Sequence, residues 1–363
     1  MNFFQHLKKM DWLLISSSAG LVGFGLISLY SSGRGSEGLI NFQKQLIFFV
    51  ISIFLMIAVS FIDWRTFKND PYLILALYFI CVAALVGLLI FAPSIRNIKG
   101  WYKLGPVSID PREFTKVALL ILLAKYFSMR HVEMYRFAHI LVSGLYVALP
   151  SLLAFLQPDL GSVLVFFSLW MVVLLISGIK LRHFLILSLC GMILFLAGWF
   201  FFLRDYQKDR IMSFVSPQLE PLGIGWSQNQ AKIAIGSGGI LGQGIGKGSQ
   251  TQYGFLTEPQ TDFIFSAIAE ETGLIGVTIL FILFLVLLWR IILVAVKAET
   301  NFPRLFSAGL ATLLVVNIFI NIGMNLGILP IVGLPLPLVS YGGSGLIATF
   351  LAFGLLQNIK INQ

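Results

Sequence analysis

Apolar residues in this chain do not alternate with polar ones; they come in long, nearly unbroken runs. Ten runs stand out, at about residues 11–31, 43–62, 71–91, 114–129, 137–156, 160–178, 183–203, 264–289, 305–327 and 341–359. A helix needs about 20 apolar residues to cross a hydrocarbon layer about 30 Å thick. The fourth run is short, and only Gln157-Pro158-Asp159 separates the fifth from the sixth. The expected fold is all-α: a polytopic membrane protein of about ten transmembrane helices, one integral membrane domain over residues 1–363. Lys8-Lys9 before the first run resembles a signal peptide, but no small-residue cleavage site follows, so residues 11–31 read as a retained helix.

Two stretches break the pattern. Residues 204–261, between the seventh and eighth runs, are polar and then glycine-rich, and read as a long extracytoplasmic loop. Their glycines fit no phosphate-binding pattern, because Gly246-Lys247 is followed by Gly248 rather than Ser or Thr. A hinge, a lid or close backbone packing remain as readings of the tract. Residues 328–340 are apolar but contain Pro330, Pro335 and Pro337, which forbid a continuous helix. Irregular backbone at membrane depth must be buried in protein or line a cavity. This segment therefore reads as re-entrant from the outer face.

Composition agrees with the runs: 58% of residues are hydrophobic and 11% charged, against about a quarter charged in soluble domains. The formal charge of +9 does not point to nucleic acid, because the bases are scattered through short connections. Cys81 and Cys190 lie inside apolar runs, and the four histidines show no paired ligand spacing. Ten spans put both ends of the chain on one side. With that side cytoplasmic, the inner segments carry 13 Lys and Arg. The short outer segments carry seven: Arg34, Lys44, Arg96, Lys99, Lys103, Arg112 and Lys116. Both termini are thus expected to be cytoplasmic. Five of the seven outer bases crowd into 96–116.

Candidate chemistry gathers at the outer ends. Asp262, Glu270 and Glu271 fall at one end of the eighth run, in a chain with only 16 acidic residues. Ionisable groups there are costly unless a wet cavity or a cation compensates them. On a straight helix Asp262 would lie ~42 Å from Arg290, at the outer headgroup level. At 100° per residue, Ser266, Ala269 and Gly273 share its face, whereas Glu270 and Glu271 diverge from it. Asp262 is therefore the candidate catalytic residue, and Glu270 and Glu271 are expected in structural ion pairs with bases elsewhere. Arg112 and Lys116 share a helical face and Glu113 can pair with Lys116. Together they are either a cationic cradle for phosphate or side chains snorkelling to headgroups.

Five motifs then resemble one family in its own order: Gln157-Pro158-Asp159-Leu160-Gly161-Ser162; the start of the loop at Asp205-Tyr206-Gln207; Thr261-Asp262-Phe263-Ile264-Phe265-Ser266; Glu270-Glu271; and Leu336-Pro337-Leu338-Val339-Ser340-Tyr341-Gly342-Gly343-Ser344. On these the chain is similar to the SEDS proteins (shape, elongation, division, sporulation) over essentially its whole length. Ile322-Gly323-Met324-Asn325-Leu326-Gly327-Ile328-Leu329-Pro330 with Gly333-Leu334-Pro335-Leu336-Pro337 resembles the elongation, RodA-type branch rather than the division branch. Thr257-Glu258-Pro259-Gln260-Thr261-Asp262 departs from the family's Pro-Glu-Gln-His-Thr-Asp, moving a proline, and Ser344-Gly345 replaces a Ser-Ser.

The resemblance implies a peptidoglycan glycosyltransferase of the bacterial cytoplasmic membrane. It would polymerise lipid II, a disaccharide-pentapeptide on undecaprenyl pyrophosphate, at the outer face during cell elongation. Implied partners are a class B penicillin-binding protein and other elongation-complex membrane proteins, with no nucleic acid. The family's key aspartate falls on Asp262, its charged pair on Glu113 and Lys116, and its aspartate after the fifth helix on Asp159. An α-linked donor and a β-linked glycan mean inversion at the anomeric carbon, so a single base suffices. The proposed substrate-binding residues are Lys116, Glu113, Arg112, Arg210, Asp159 and Ser266. Positive charge for the leaving pyrophosphate comes either from Lys116, Arg112 or Arg210, or from a divalent cation, Mg or Mn, held with Asp262. No organic cofactor is expected. Two rivals stand beside this: a flippase or transporter of lipid-linked precursor, whose charges would cluster near the midplane, and a non-catalytic scaffold that activates a penicillin-binding protein.

Overall fold

The computed structural model describes residues 3–33, 36–93, 100–105, 107–129, 137–201, 205–215 and 224–362. In chain order it contains α1 (Phe3–Lys9), α2 (Trp12–Ser32), α3 (Ser36–Ser60), α4 (Trp64–Asn69), α5 (Pro71–Phe91), a hairpin of β1 (Tyr102–Leu104) and β2 (Val107–Ile109), α6 (Pro111–Ser128), α7 (Phe137–Leu156), α8 (Leu160–Ile176), α9 (Leu181–Phe201), α10 (Asp205–Val215), α11 (Ile224–Gly238), α12 (Ser249–Gln252), α13 (Ile264–Lys297), α14 (Asn301–Leu326) and α15 (Gly343–Ile361). Each of the ten apolar runs is a helix. Eight are long and apolar enough to cross a membrane, and α8 is a shorter apolar helix. The tenth, α6, is charged at its start but sits at the centre of the bundle. It packs against α5, α7, α8, α14 and α15, and Ala118–Lys125 are buried all round, as expected of a helix apolar on every face.

Helix starts follow a simple local rule. Asp11, Asp63, Asp70, Asp110 and Asp159 are the N-caps of α2, α4, α5, α6 and α8, each accepting a backbone N–H of the first turn. That satisfies an orphan donor and places negative charge at the positive end of the helix dipole. Asp70 and Asp110 are followed by proline at the first helical position, where its missing N–H costs nothing.

The two ends of the chain meet on one face. Asp11 accepts Arg290 Nε at 2.8 Å and Nη2 at 2.6 Å, and its N–H donates to Gln357 Oε1 at 2.7 Å. Lys360 lies 3.5 Å from the same carboxylate. Burial pushes the Asp11 carboxyl up, but Arg290, the Leu14 N–H and Lys360 outweigh it and hold it below its ordinary value.

The long loop differs most from expectation: much of 204–261 is helical. α11 packs on α13 and α14, and a second small core of Ala231, Leu256, Phe263, Ala267, Met324 and Ile331 seals it there. Of the sequence features in this region, residues 216–223 and the side chains of Asp205 and Tyr206 lie outside the described residues. So do Arg34, Arg96 and Lys99 among the outer bases.

α13 is not straight. Gly273 has φ 64 and ψ −164, which breaks the helix. The glycine tract is wedged into the break. The N–H groups of Gln243 and Gly244 donate to the carbonyls of Glu270 and Glu271 (2.9 and 3.0 Å), and those of Leu274 and Ile275 donate to the carbonyls of Gly239 and Ile240 (2.9 and 3.2 Å). A helix end in a membrane needs such partners, because no water supplies them. The approach requires glycine: a Cβ on Gly242 would sit 2.2 Å from the Glu271 carbonyl, and one on Gly273 2.3 Å from the Gly242 nitrogen. Close backbone packing is thus the role of the tract.

Candidate functional site

Asp262 precedes α13 rather than riding on it. Residues 261–263 form a turn, and Phe263 is the N-cap. The turn is closed by the N–H groups of Thr261 and Phe263, both donating to the Glu258 carbonyl at 3.2 Å. Glu258 itself has φ 46, a left-handed conformation that costs a non-glycine residue about 1–2 kcal/mol. The shared helical face inferred for Asp262, Ser266, Ala269 and Gly273 therefore does not exist, because one end is a turn and the other a break. The position of Asp262 along the span is given by α14 instead. The Asp262 carbonyl accepts Asn321 Nδ2 at 3.1 Å and Asn325 Nδ2 at 2.9 Å. Asn325 stands 21 residues along α14 from Arg304, or ~32 Å at 1.5 Å per residue. The Asp262 turn thus lies at the end of the span away from the termini.

Asparagines hold this turn in place. Asn321 Nδ2 also donates to the Leu334 carbonyl at 2.8 Å. Asn325 Oδ1 accepts Ser266 Oγ at 2.6 Å and Ser266 N at 3.2 Å. Ser266 is fully buried, so it positions Asn325 instead of facing a substrate. Sequence reasoning missed this pair, although Asn317, Asn321 and Asn325 recur at four-residue intervals in an apolar helix. That spacing aligns amides on one face, and a row of amides in hydrocarbon asks for partners.

The expected cationic cradle is a balanced cluster. Arg112 donates to Asp110 through Nε (2.8 Å) and Nη2 (2.7 Å), to Asp159 Oδ2 through Nη1 (2.5 Å), and lies 5.5 Å over the Trp101 ring. Lys116 donates to Glu113 Oε1 at 2.6 Å. Arg112 and Lys116 are buried, and with Asp110, Glu113 and Asp159 the five groups sum to −1. Arg112 is thus a cross-brace between α6 and α8, with its charge already matched. Burial pushes the Asp159 carboxyl up, and Arg112, the Ser162 hydroxyl and N–H, and Lys116 together outweigh it, leaving it below its ordinary value. The carboxylate of Glu113 is the most open group here, at 20% exposure.

The proline-rich segment joins the two clusters. At one end Ser340 Oγ donates to the Thr261 carbonyl (2.7 Å) and the Tyr341 N–H to the Gln260 carbonyl (2.9 Å). Gly333 faces the Asp262 carboxylate, with 3.8 Å between Oδ2 and a Cβ built there. At the other end Ser344 Oγ accepts the Asp110 N–H at 2.9 Å, and a Cβ on Gly345 would lie 3.7 Å from the Glu113 carboxylate. On either side of Gly333, Val332 and Leu334 pack on Gly161, two residues from Asp159. From α3, Asn41 donates to the Gln260 side chain (2.7 Å) and Gln45 to the Ser340 carbonyl (3.3 Å). The segment is irregular, as its prolines require, and lies against the site.

The remaining acids are structural, but not as ion pairs. Glu270 accepts the N–H groups of Gln250 (2.6 Å) and Thr251 (3.0 Å) and the Thr251 hydroxyl (2.7 Å), so it caps the start of α12. Glu271 accepts the Ser31 hydroxyl and the Gly246 N–H. Among the described residues neither meets a base. Arg210 stands half-buried on α10. No three His, Cys, Asp or Glu side chains among the described residues converge on one point. Magnesium is commonly held by one or two carboxylates with substrate phosphates completing its shell, so the donor set at Asp262 fits a cation brought in with its substrate.

The chain is similar to known proteins over nearly its whole length. The profile of the cell cycle protein family of FtsW, RodA and SpoVE matches residues 9–363. Peptidoglycan glycosyltransferase MrdB of Escherichia coli K12 is 35% identical over 361 residues, covering 98% of this chain and 94% of the relative. Among solved structures, one chain of a peptidoglycan synthase complex that coordinates polymerization and crosslinking is similar with a TM-score of 0.82 and 29% identity, covering 97% of this chain and 98% of that one. The rod shape determining protein RodA of Thermus thermophilus gives a TM-score of 0.72 and 28% identity, covering 97% and 96%.

Proposed function

The chain belongs to the FtsW, RodA and SpoVE family of cell cycle proteins, and from that premise we propose that it is a peptidoglycan glycosyltransferase that extends glycan strands from lipid II at the outer face of the cytoplasmic membrane. Its relatives with that activity support the reaction class. One observation of this chain supports the role of Asp262: its turn is pinned by Asn321 and Asn325 at the far end of the span, with its carboxylate beside Gly333 of the proline-rich segment.

In the reaction, Asp262 takes the proton from the acceptor sugar hydroxyl as its oxygen attacks the donor's anomeric carbon. One C–O bond forms, the bond to pyrophosphate breaks, and the configuration inverts. The held turn fixes the carboxylate before substrate arrives, which lowers the cost of orientation. Lys116, paired with the more open Glu113, is the cation proposed to meet the pyrophosphate. A divalent ion, where used, would be held by Asp262 and would offset pyrophosphate charge. A class B penicillin-binding protein is the proposed partner, supported by the similarity to a chain of a synthase complex. A transporter would place its charges near the midplane, whereas the Asp262 turn sits at a span end.

The test is polymerisation of labelled lipid II by purified protein, alone and with the partner. Asp262→Ala and Asp262→Asn should keep parental thermal stability and lose glycan synthesis. Glycan made at the parental rate by either variant would overturn the assignment of the base. Loss of synthesis by the parent under all conditions would overturn the enzyme reading.

A further inference from the structure

A cavity of 510 Å³ lies between α2 and the broken part of α13, away from the Asp262 site. Its lining includes Phe24 and Ser28 of α2, Ile245 of the glycine tract, and Glu271, Ile275 and Ile279 of α13. Glu271 is about 140° around the helix from Ser266, at 100° per residue. Ser266 faces α14 and braces the Asp262 turn, so the cavity occupies the other side of α13.

Its surroundings say what it meets. Gly273 is ~26 Å along α13 from Arg290, which places the break near the boundary of a hydrocarbon core about 30 Å thick. Ile245, Ile275 and Ile279 are exposed at its rim, so it opens to lipid chains of the leaflet opposite the termini. Ser28 is 3% exposed and its hydroxyl has no hydrogen-bond partner among the described residues. Ser17 and Ser18 of the same helix instead donate to carbonyls three residues back. An unpaired buried hydroxyl is costly. Beside it, Glu271 accepts the Ser31 hydroxyl and the Gly246 N–H on Oε1 and a hydrogen bond from the Gln252 side chain, which leaves room for one more donor among the about four acceptor positions of a carboxylate.

We propose that this groove holds one lipid of that leaflet, its chain along Phe24, Ile275 and Ile279, its donor-bearing headgroup on Glu271 and its phosphodiester accepting from Ser28. The headgroup is a primary ammonium, because its charge and its N–H groups meet the carboxylate, which would repel a bare phosphate. The ligand therefore differs in chemistry and place from anything recognised at Asp262.

The test uses the full chain in phosphatidylcholine nanodiscs doped with phosphatidylethanolamine, phosphatidylglycerol or phosphatidylcholine, each carrying a diazirine at its chain end. Photoadducts should concentrate on Phe24, Ile275 and Ile279. Ethanolamine lipid should exceed both glycerol and choline lipid by about tenfold, the size of one hydrogen bond to a charged group; glycerol lipid labelling as strongly as ethanolamine lipid would overturn the ammonium assignment. Ile279→Trp should abolish these adducts and leave those on Ile186, exposed on α9. Ser28→Ala, which leaves the groove open, should weaken the labelling. Equal labelling by all three headgroups, adducts spread evenly over α2, α9 and α13, or labelling unchanged in both variants would overturn the proposal.

Discussion

Arg112 and Lys116 are four residues apart on one helix, yet they respond to different physics. Arg112 is buried against two carboxylates, and removing one partner of a buried ion pair costs about 3–5 kcal/mol, because the other is left uncompensated. Arg112→Ala should therefore lower thermal stability sharply, and Arg112→Ala with Asp159→Asn should recover part of it. Lys116→Ala leaves Glu113, which has access to solvent, and should act mainly on activity through a raised KM for lipid II. Differential scanning fluorimetry beside single-turnover assays separates the two; equal stability losses would refute the distinction. The Asp159 carboxyl adds a pH signature. Its pKa is lowered in the folded state, so the unfolded chain takes up the proton first. The stability it contributes is complete above its ordinary value of about 3.9 and is lost as pH falls through the folded value. The melting temperature should hold steady down to about pH 5 and fall below about pH 4. Asp159→Asn should melt lower at neutral pH and show a shallower acid slope.

At the scale of elements, the break in α13 and the glycine tract are one device. Each supplies the hydrogen-bond partners that the other lacks. Gly242 has φ 80 and no room for a Cβ, so Gly242→Ala combines a left-handed penalty of about 1–2 kcal/mol with a backbone clash. The tract should lift from the break, seen as faster proteolysis within 238–248 and a lower melting temperature. Resistance equal to the parent would show that the wedge is not held there. The limits of sequence reading appear at the same scale. Asp70-Pro71 and Asp110-Pro111 declare their helices, because an N-cap and the proline after it are local chemistry. The pairing of Arg112 with Asp159 spans 47 residues, and no local pattern encodes it. Nor does hydropathy show that α13 breaks at Gly273: an apolar run reads the same whether straight or broken, and a partner that fills the break is visible only in three dimensions.

For the whole molecule, the ten apolar helices, eight of them long and apolar enough to cross a membrane, were legible because hydrocarbon tolerates few alternatives to a continuous apolar helix. The site was legible in part: Asp262 and the head of α6 stood out as charges in apolar surroundings. The asparagines and the proline-rich segment that bring order to them work through neutral hydrogen bonds. Orientation is the global property on which the site's assignment depends, since an extracytoplasmic polymerase needs the Asp262 end outside. Asp11, Arg290 and Lys360 gather at the opposite end with both chain ends, and the excess of Lys and Arg on the segments of that side favours the cytoplasm. Single cysteines at Glu299 and Tyr253 test this, in a background with Cys81 and Cys190 replaced by serine or alanine. Tyr253, 72% exposed near α12, should react with a membrane-impermeant maleimide in intact cells. Glu299, exposed between α13 and α14, should react only after permeabilisation. The reverse pattern would place Asp262 in the cytoplasm and would refute the outer-face reaction even in a protein that polymerises lipid II in detergent.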